Sequence, residues 1–126
     1  MLVLEGPDDL ELSGKRQDFL ALAAICFSGR NGEVPIRVMA SGTGQTSSAL
    51  ILFESGPIVI NVQGDNLIVR GAERKLSLLG ENIAFLANQE PSRGRLKTHL
   101  HIEYIPGHAY LDQTSEPLVL TLLPPD

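Results

Sequence analysis

The feature that most constrains the fold of this chain is an order of segments that occurs twice. The run Leu10–Gly14 aligns with Leu67–Gly71, and each run ends in a glycine that precedes a helical pattern of apolar residues. The aligned helical pairs are Phe19 with Leu76, Leu22 with Leu79, and Cys26 with Ile83. Because the apolar positions recur at the same distances after the glycine, the two segments predict equivalent strand-helix units.

The alignment continues beyond the helices into apolar runs that are typical of strands. Ala49–Glu54 resembles His99–Tyr104, and Ser55–Ile60 resembles Ser115–Leu120. The order of elements is therefore βαββ, repeated over residues 9–63 and 66–123.

One domain covering residues 1–126 is expected, since a chain of this length commonly builds a single core. Each predicted helix has one apolar stripe to bury. We therefore predict an α+β fold, a two-layer sandwich in which two helices cover a mostly antiparallel sheet.

Apolar spacing gives approximate positions for the elements of this fold. The first helix is predicted from Lys15 to about Ser28, where Gly29 stops it, and the second has a buried face between Leu76 and Ala87. Strands are predicted around Leu2 and Leu4, Leu10 and Leu12, Ile36–Ala40, Ala49–Phe53, Pro57–Val62, Leu67–Arg70, Leu96–Ile105 and Pro117–Leu123. The Ser/Thr/Gly-rich stretch at residues 41–48 is predicted to be a hairpin loop, because it lacks the Lys-Ser/Thr ending of a phosphate-binding loop.

Charge and composition exclude several kinds of partner. The formal net charge is -5 and the pI is about 5.1, so we expect neither nucleic acid nor an anionic membrane to be the partner. The single cysteine, Cys26, lies among apolar residues and has no partner for an internal disulfide. The sequence shows neither a secretory leader nor an apolar run long enough for a membrane span, and a cytoplasmic location is expected.

The three histidines form the one cluster that suggests chemistry. His99, His101 and Glu103 alternate with apolar residues, which places them on one face of a strand, and His108 follows in the next connection. Side chains two apart on a strand can reach one metal ion, so these four residues are candidate ligands for zinc. Solvent-facing strands show the same alternation, and a plain polar face is the competing interpretation. No nucleophile stands at a diagnostic spacing, which favours a protein that is not an enzyme.

The C-terminal half carries a recognisable pattern. A strand that ends in glycine is followed by a leucine-rich helix, by His-Leu-His-Ile-Glu-Tyr at residues 99–104, and by Ser-Glu-Pro-Leu-Val-Leu at residues 115–120. Over about Leu67 to Leu122 this resembles the immunity protein 32 family, small α+β proteins assigned to bacterial polymorphic toxin systems. The resemblance implies a cytoplasmic protein without enzymatic activity that binds and neutralises a cognate toxin domain.

Two other functions remain open beside this binding module. One is a metal-binding protein or metal-dependent enzyme that uses the His-x-His-x-Glu strand. The other is a structural homo-oligomer, for which residues 118–123 offer an apolar strand whose edge could pair with a second copy.

Overall fold

A computed structural model describes residues 1–6, 8–40, 43–91 and 98–125. The elements are β1 (Leu2–Glu5), β2 (Leu10–Gly14), α1 (Arg16–Ser28), β3 (Gly32–Ala40), β4 (Thr43–Phe53), β5 (Val59–Gln63), β6 (Asn66–Gly71), α2 (Glu73–Ala87), β7 (Thr98–Ile102) and β8 (Leu118–Leu122). The mixed α+β class is thus confirmed, as is the end of α1 at Gly29, which adopts φ 74°.

The strand that follows residue 42 is longer than predicted. β4 begins at Thr43 and pairs along its whole length with β3, so the polar residues 43–48 are strand rather than loop. Hydrogen bonding to a long neighbouring strand extends β4 beyond its apolar part. Residues 41 and 42, like residues 92–97 at the start of the predicted strand before β7, lie outside the described residues.

All eight strands form one mixed sheet in the order β5-β6-β4-β3-β1-β2-β8-β7. Each of the four hairpins β1–β2, β3–β4, β5–β6 and β7–β8 is antiparallel, whereas β1–β3, β2–β8 and β4–β6 are parallel. These directions place the connections within all four hairpins at one end of the sheet, which we call the hairpin end. The two helices follow β2 and β6 at the opposite end, which we call the helix end.

The sheet curls into a half-barrel instead of forming one flat layer, so the predicted two-layer sandwich is not confirmed. Ile60 of β5 and Ile102 of β7 lie at opposite ends of the strand order, yet both line one small interior space of about 10 Å³. Leu22 and Leu79 of the two helices line the same space. The apolar faces of both helices therefore pack inside the curl, in one continuous core.

Apart from β1–β3, the pairings of the described strands correspond between the two halves. The parallel pair β2–β8 has its counterpart in β6–β4, and the antiparallel hairpins β1–β2 and β3–β4 have theirs in β5–β6 and β7–β8. This pattern relates β4 to β8 and β3 to β7, whereas the sequence comparison aligned the β4 region with β7. Duplication of the chain remains a prediction, and the pairings would set its unit as ββαββ.

The two helices pack closely at Gly80. A Cβ atom on this glycine would lie 2.9 Å from Phe27 Cε1 and 3.0 Å from Cys26 Cβ. The helices run antiparallel, since Arg16 at the start of α1 donates from Nε to the Ala87 carbonyl at the end of α2, at 2.8 Å. The absence of a side chain at residue 80 is therefore what allows this contact.

We expect Arg16→Met to lower the free energy of unfolding by about 1 kcal/mol. The guanidinium contacts the carbonyls of Ala87 and Gln89, which α2 leaves without partners at its negative end, and methionine keeps only the apolar stem. Urea unfolding measures the change. Arg74→Met, at an exposed position of α2, is the matched control, and an equal loss in both variants would contradict the capping role.

Cys26 should be unreactive until the protein unfolds. Its side chain is 1% exposed, and burial raises the pKa of its thiol to about 12. We expect DTNB at about pH 8 to label the chain only after guanidinium is added. The raised pKa also predicts a stability contribution that is complete below the ordinary thiol pKa and is lost as pH rises toward about 12. Rapid labelling of the folded chain would contradict this packing.

Candidate functional site

The structure brings two of the four predicted metal ligands together. His99 and His101 are both exposed on β7, and their ring centroids lie 4.7 Å apart with the planes perpendicular. Leu100 between them is half-buried and Ile102 is buried, so the predicted one-sided strand is confirmed. The pair offers two neighbouring imidazoles to solvent at the last strand of the sheet.

His108 has a different role in the connection between β7 and β8. Its Nδ1 accepts hydrogen bonds from the backbone N–H groups of Tyr110 and Leu111, at 3.1 and 3.0 Å, and its ring packs against Tyr110. A neutral imidazole that accepts at Nδ1 carries its proton on Nε2, which leaves no lone pair free for a metal. His108 therefore orders this connection.

Glu103 is exposed just beyond the end of β7. Among residues 1–6, 8–40, 43–91 and 98–125, no three His, Cys, Asp or Glu side chains are grouped to hold a metal ion. Zinc binding by His99, His101, Glu103 and His108 therefore stays a prediction, and its geometric basis is the pair on β7.

The connection between β7 and β8 joins the two ends of the strand order. The Ile58 N–H donates to the Tyr110 carbonyl at 2.7 Å, the Asp112 N–H donates to the Ile58 carbonyl at 2.9 Å, and the Glu116 N–H donates to the Ile60 carbonyl at 2.9 Å. Because these bonds occupy backbone groups of Ile58, directly before β5, and of Ile60 within β5, the segment Tyr110–Glu116 covers that edge of the sheet. We call this segment the clasp.

Side chains reinforce the clasp from two sides. Ser115 Oγ accepts a hydrogen bond from the Ile60 N–H at 2.9 Å, and Ser115 is buried. Asn82 of α2 donates to the Tyr110 hydroxyl at 2.7 Å. Burial raises the pKa of Tyr110, and this hydrogen bond partly offsets the rise. The clasp is thus fixed to both the sheet and the second helix.

The clearest concave surface is an opening at the hairpin end, which we call the mouth. Its cavity has a volume of about 310 Å³, within the range of ligand pockets. Four strands supply its apolar lining, and the clasp adds one carboxylate. The residues that define the mouth are Leu4, Leu10, Val38, Met39, Val62 and Glu116.

Further carboxylates lie at the hairpin end, close in sequence to the lining residues Gly6, Leu10 and Gly64. Glu5 ends β1, Asp8 and Asp9 lie in the connection to β2, and Asp65 lies in the turn between β5 and β6. All four side chains are exposed, as is Glu116. The four hairpin connections contain no lysine or arginine anywhere in their sequence. An apolar cavity with a negative rim is therefore the main electrostatic feature of this end.

Two other surfaces are less suited than the mouth to bind a partner. A cavity of about 280 Å³ lies beside Lys15, Arg16 and Glu90, but the guanidinium of Arg16 is already used to bind the end of α2. On the outer sides of the helices, Phe27 is 48% exposed and Phe85 is 70% exposed. These rings line neither the mouth nor the cavity beside Lys15.

Comparison with protein families identifies part of the chain. Residues 66–123 match the family model of immunity protein 32. The match covers β6, α2, β7 and β8, which is just under half of the chain and is the region in which the sequence resembled this family. No curated protein and no solved structure gave a match.

The segment that is similar to this family model contains the exposed histidine pair and the clasp. The mouth lies mostly outside this segment, because Glu116 is the one residue of its lining that falls within residues 66–123. Neither helix in the described part of the chain combines the length and apolar composition of a membrane span.

The sequence did not reveal the mouth. Its lining residues are ordinary inward-facing strand positions, and periodicity alone cannot show that they are left uncovered. One available signal was that Asp8, Asp9 and Asp65 all lie in turns between consecutive strands. Hairpin turns of one sheet can share an end, so acidic turns could have been recognised as neighbours.

Proposed function

We propose that this chain is an immunity-like protein that binds a cognate toxin domain in the bacterial cytoplasm and blocks its activity. The match of residues 66–123 to the immunity protein 32 model carries this proposal. The acidic balance of the chain supports it, since a negative surface complements the basic active sites of nucleic-acid-cleaving toxins. On this account the protein works by occupying a surface of the toxin and needs no catalytic group of its own.

Co-purification tests the proposal. The native chain is expressed in its own host and isolated under mild conditions, and bound proteins are identified by mass spectrometry. We expect a toxin domain encoded in the neighbouring gene, in equal amounts with the chain. An unrelated acidic protein of similar size, expressed and isolated in the same way, controls for non-specific capture. Isolation of the chain without such a domain, together with no binding when the two are co-expressed, would refute the proposal.

A second proposal concerns metal, and the adjacent imidazoles of His99 and His101 favour it. Two imidazoles on one strand can chelate zinc or nickel, with water completing the coordination. Calorimetric titration with zinc should show one ion per chain for the native protein and none for His101→Ala. His108→Ala should keep the binding, because Nδ1 of His108 is already hydrogen-bonded to backbone. Absence of zinc binding to the native protein would end this proposal.

A third proposal is a homodimer formed through a sheet edge. The predicted edge at residues 118–123 is wrong, because β8 lies between β2 and β7. β7 is instead the terminal strand, and pairing of two β7 strands would extend the sheet across the dimer. Light scattering of the purified chain measures its mass. A monomer at high concentration would exclude this dimer.

A further inference from the structure

The hairpin end and the helix end of the molecule differ in charge. Around the mouth, Asp8, Asp9, Asp65 and Glu116 are exposed, and the hairpin connections have no lysine or arginine. Arg30 instead lies in the connection after α1, at the helix end. The negative field is therefore concentrated at the hairpin end, where a positively charged partner would be attracted and oriented.

The interior of the mouth is apolar, in contrast to its negatively charged rim. Val38, Met39 and Val62 are only partly buried and form the solvent-accessible apolar part of the mouth, and the buried residues Leu4 and Leu10 line the same cavity. An apolar centre inside a polar rim is the usual arrangement of a protein-binding site, and a fully desolvated side chain at the centre contributes most of the affinity. A cavity of about 310 Å³ has room for a large apolar side chain.

We infer that the toxin domain docks at the mouth through a segment in which an apolar side chain is flanked by lysine or arginine. The apolar side chain fills the cavity between Leu4, Leu10 and Val38, while the flanking cations face the carboxylates of the rim. This inference rests on the proposed function. It specifies which surface of this chain the toxin domain binds and the chemistry of the toxin segment that binds there.

The binding segment must be basic rather than only apolar. An uncharged apolar segment would fill the cavity but would have no electrostatic attraction to Asp9 and Asp65. An acidic segment would be repelled by these carboxylates. The helix surface around Phe27 and Phe85 is the competing site, and there Arg74 and Glu81 are both exposed on α2, so it has no single sign of charge. Charge complementarity therefore assigns a basic partner to the mouth.

A peptide titration tests the chemistry of the mouth without the toxin. The probe is a short capped peptide with one leucine flanked by lysines. Two matched controls replace either the leucine by serine or the lysines by glutamates. We expect the probe alone to shift the NMR methyl signals of Leu4, Leu10 and Val38. Equal shifts from the glutamate peptide, or shifts confined to the surroundings of Phe27 and Phe85, would overturn the inference.

The second arm measures the toxin domain recovered by co-purification. The double variant Asp9→Lys with Asp65→Lys should weaken its binding about tenfold or more, chiefly at low salt. The control variant Glu33→Lys with Glu81→Lys changes the net charge equally at exposed positions away from the mouth and should change the affinity less than about threefold.

The two arms separate the inference from the proposed function. Equal binding of the toxin domain by both double variants would overturn docking at the mouth and leave the immunity-like role intact. Specific peptide shifts at the mouth without any bound toxin domain would support the basic, apolar specificity and contradict the proposed role. Loss of binding in the mouth variant alone, with the expected peptide shifts, would support both.

Discussion

Replacing Phe19 with alanine should lower the free energy of unfolding by about 4 kcal/mol. The Phe19 ring is 0% exposed and belongs to the continuous core inside the curled sheet. Removing it loses the transfer free energy of the ring and leaves a cavity that the surrounding strands can fill only in part. Urea unfolding followed by circular dichroism measures the change, with the slope of the transition kept as a check on two-state behaviour.

Phe85→Ala is the matched control for this prediction. Phe85 lies on the other helix and is 70% exposed, so the same substitution should change the free energy of unfolding by no more than about 0.5 kcal/mol. Comparable losses of unfolding free energy in Phe19→Ala and Phe85→Ala would contradict the placement of Phe19 on the buried face of α1 and of Phe85 on the exposed face of α2.

Gly71→Ala should cost about 2 kcal/mol, although the change adds a single methyl group. A Cβ atom at Gly71 would lie 2.8 Å from Ile58 Cγ1 and 3.0 Å from Ile58 Cα. The backbone of Ile58 cannot easily retreat, because its N–H and carbonyl are hydrogen-bonded to Tyr110 and Asp112 of the clasp. The overpacking cost exceeds the gain from a less flexible unfolded chain, which is about 0.4 to 1 kcal/mol.

Gly44→Ala is the control for Gly71. The three atoms nearest to its new Cβ would belong to the side chains of Arg37 and Met39, which can move, so the expected change is within about 0.5 kcal/mol. Amide hydrogen exchange gives a second readout, since displacement of Ile58 in Gly71→Ala should speed exchange at Asp112, whose N–H bonds to the Ile58 carbonyl. A fully stable Gly71→Ala would show that the sheet and the clasp can separate at this point.

Local structure was predictable wherever periodicity or turn chemistry decided it. The apolar positions Phe19, Leu22 and Cys26 are buried on α1, and Gly29 ends that helix, as the sequence indicated. Gly14 and Gly71 each end a predicted strand before a helix, where either a turn or a close approach of another residue can require glycine. Both are close-approach positions, since a Cβ would meet Leu2 at Gly14 and Ile58 at Gly71. Spacing along the chain cannot distinguish these two requirements.

The curl of the sheet could not be read from the sequence. Alternation shows which face of a strand is buried, but it does not show which strands are neighbours or how far a sheet bends. The parallel pairs β2–β8 and β4–β6 connect segments distant in sequence, and the clasp joins β5 to a connection more than fifty residues away. The mouth depends on these contacts, because curling is what brings Leu10 and Val62 to the same opening.

The candidate metal ligands show that periodicity also cannot predict the contacts of individual side chains. Strand alternation correctly placed His99 and His101 on one exposed face. It could not show that Nδ1 of His108 accepts two backbone N–H groups, because that contact depends on the fold of a connection without regular periodicity. A loop histidine near a histidine pair can be structural, and its hydrogen bonds decide its role.

The most direct test of the immunity-like role is a protection experiment in living cells. A toxin domain identified by the co-purification is expressed from an inducible promoter, alone, with the native chain, or with the Asp9→Lys and Asp65→Lys double variant. The account predicts that the native chain restores growth and that the variant, at the same cellular level, restores it poorly. Growth arrest that continues in the presence of the native chain would contradict the account.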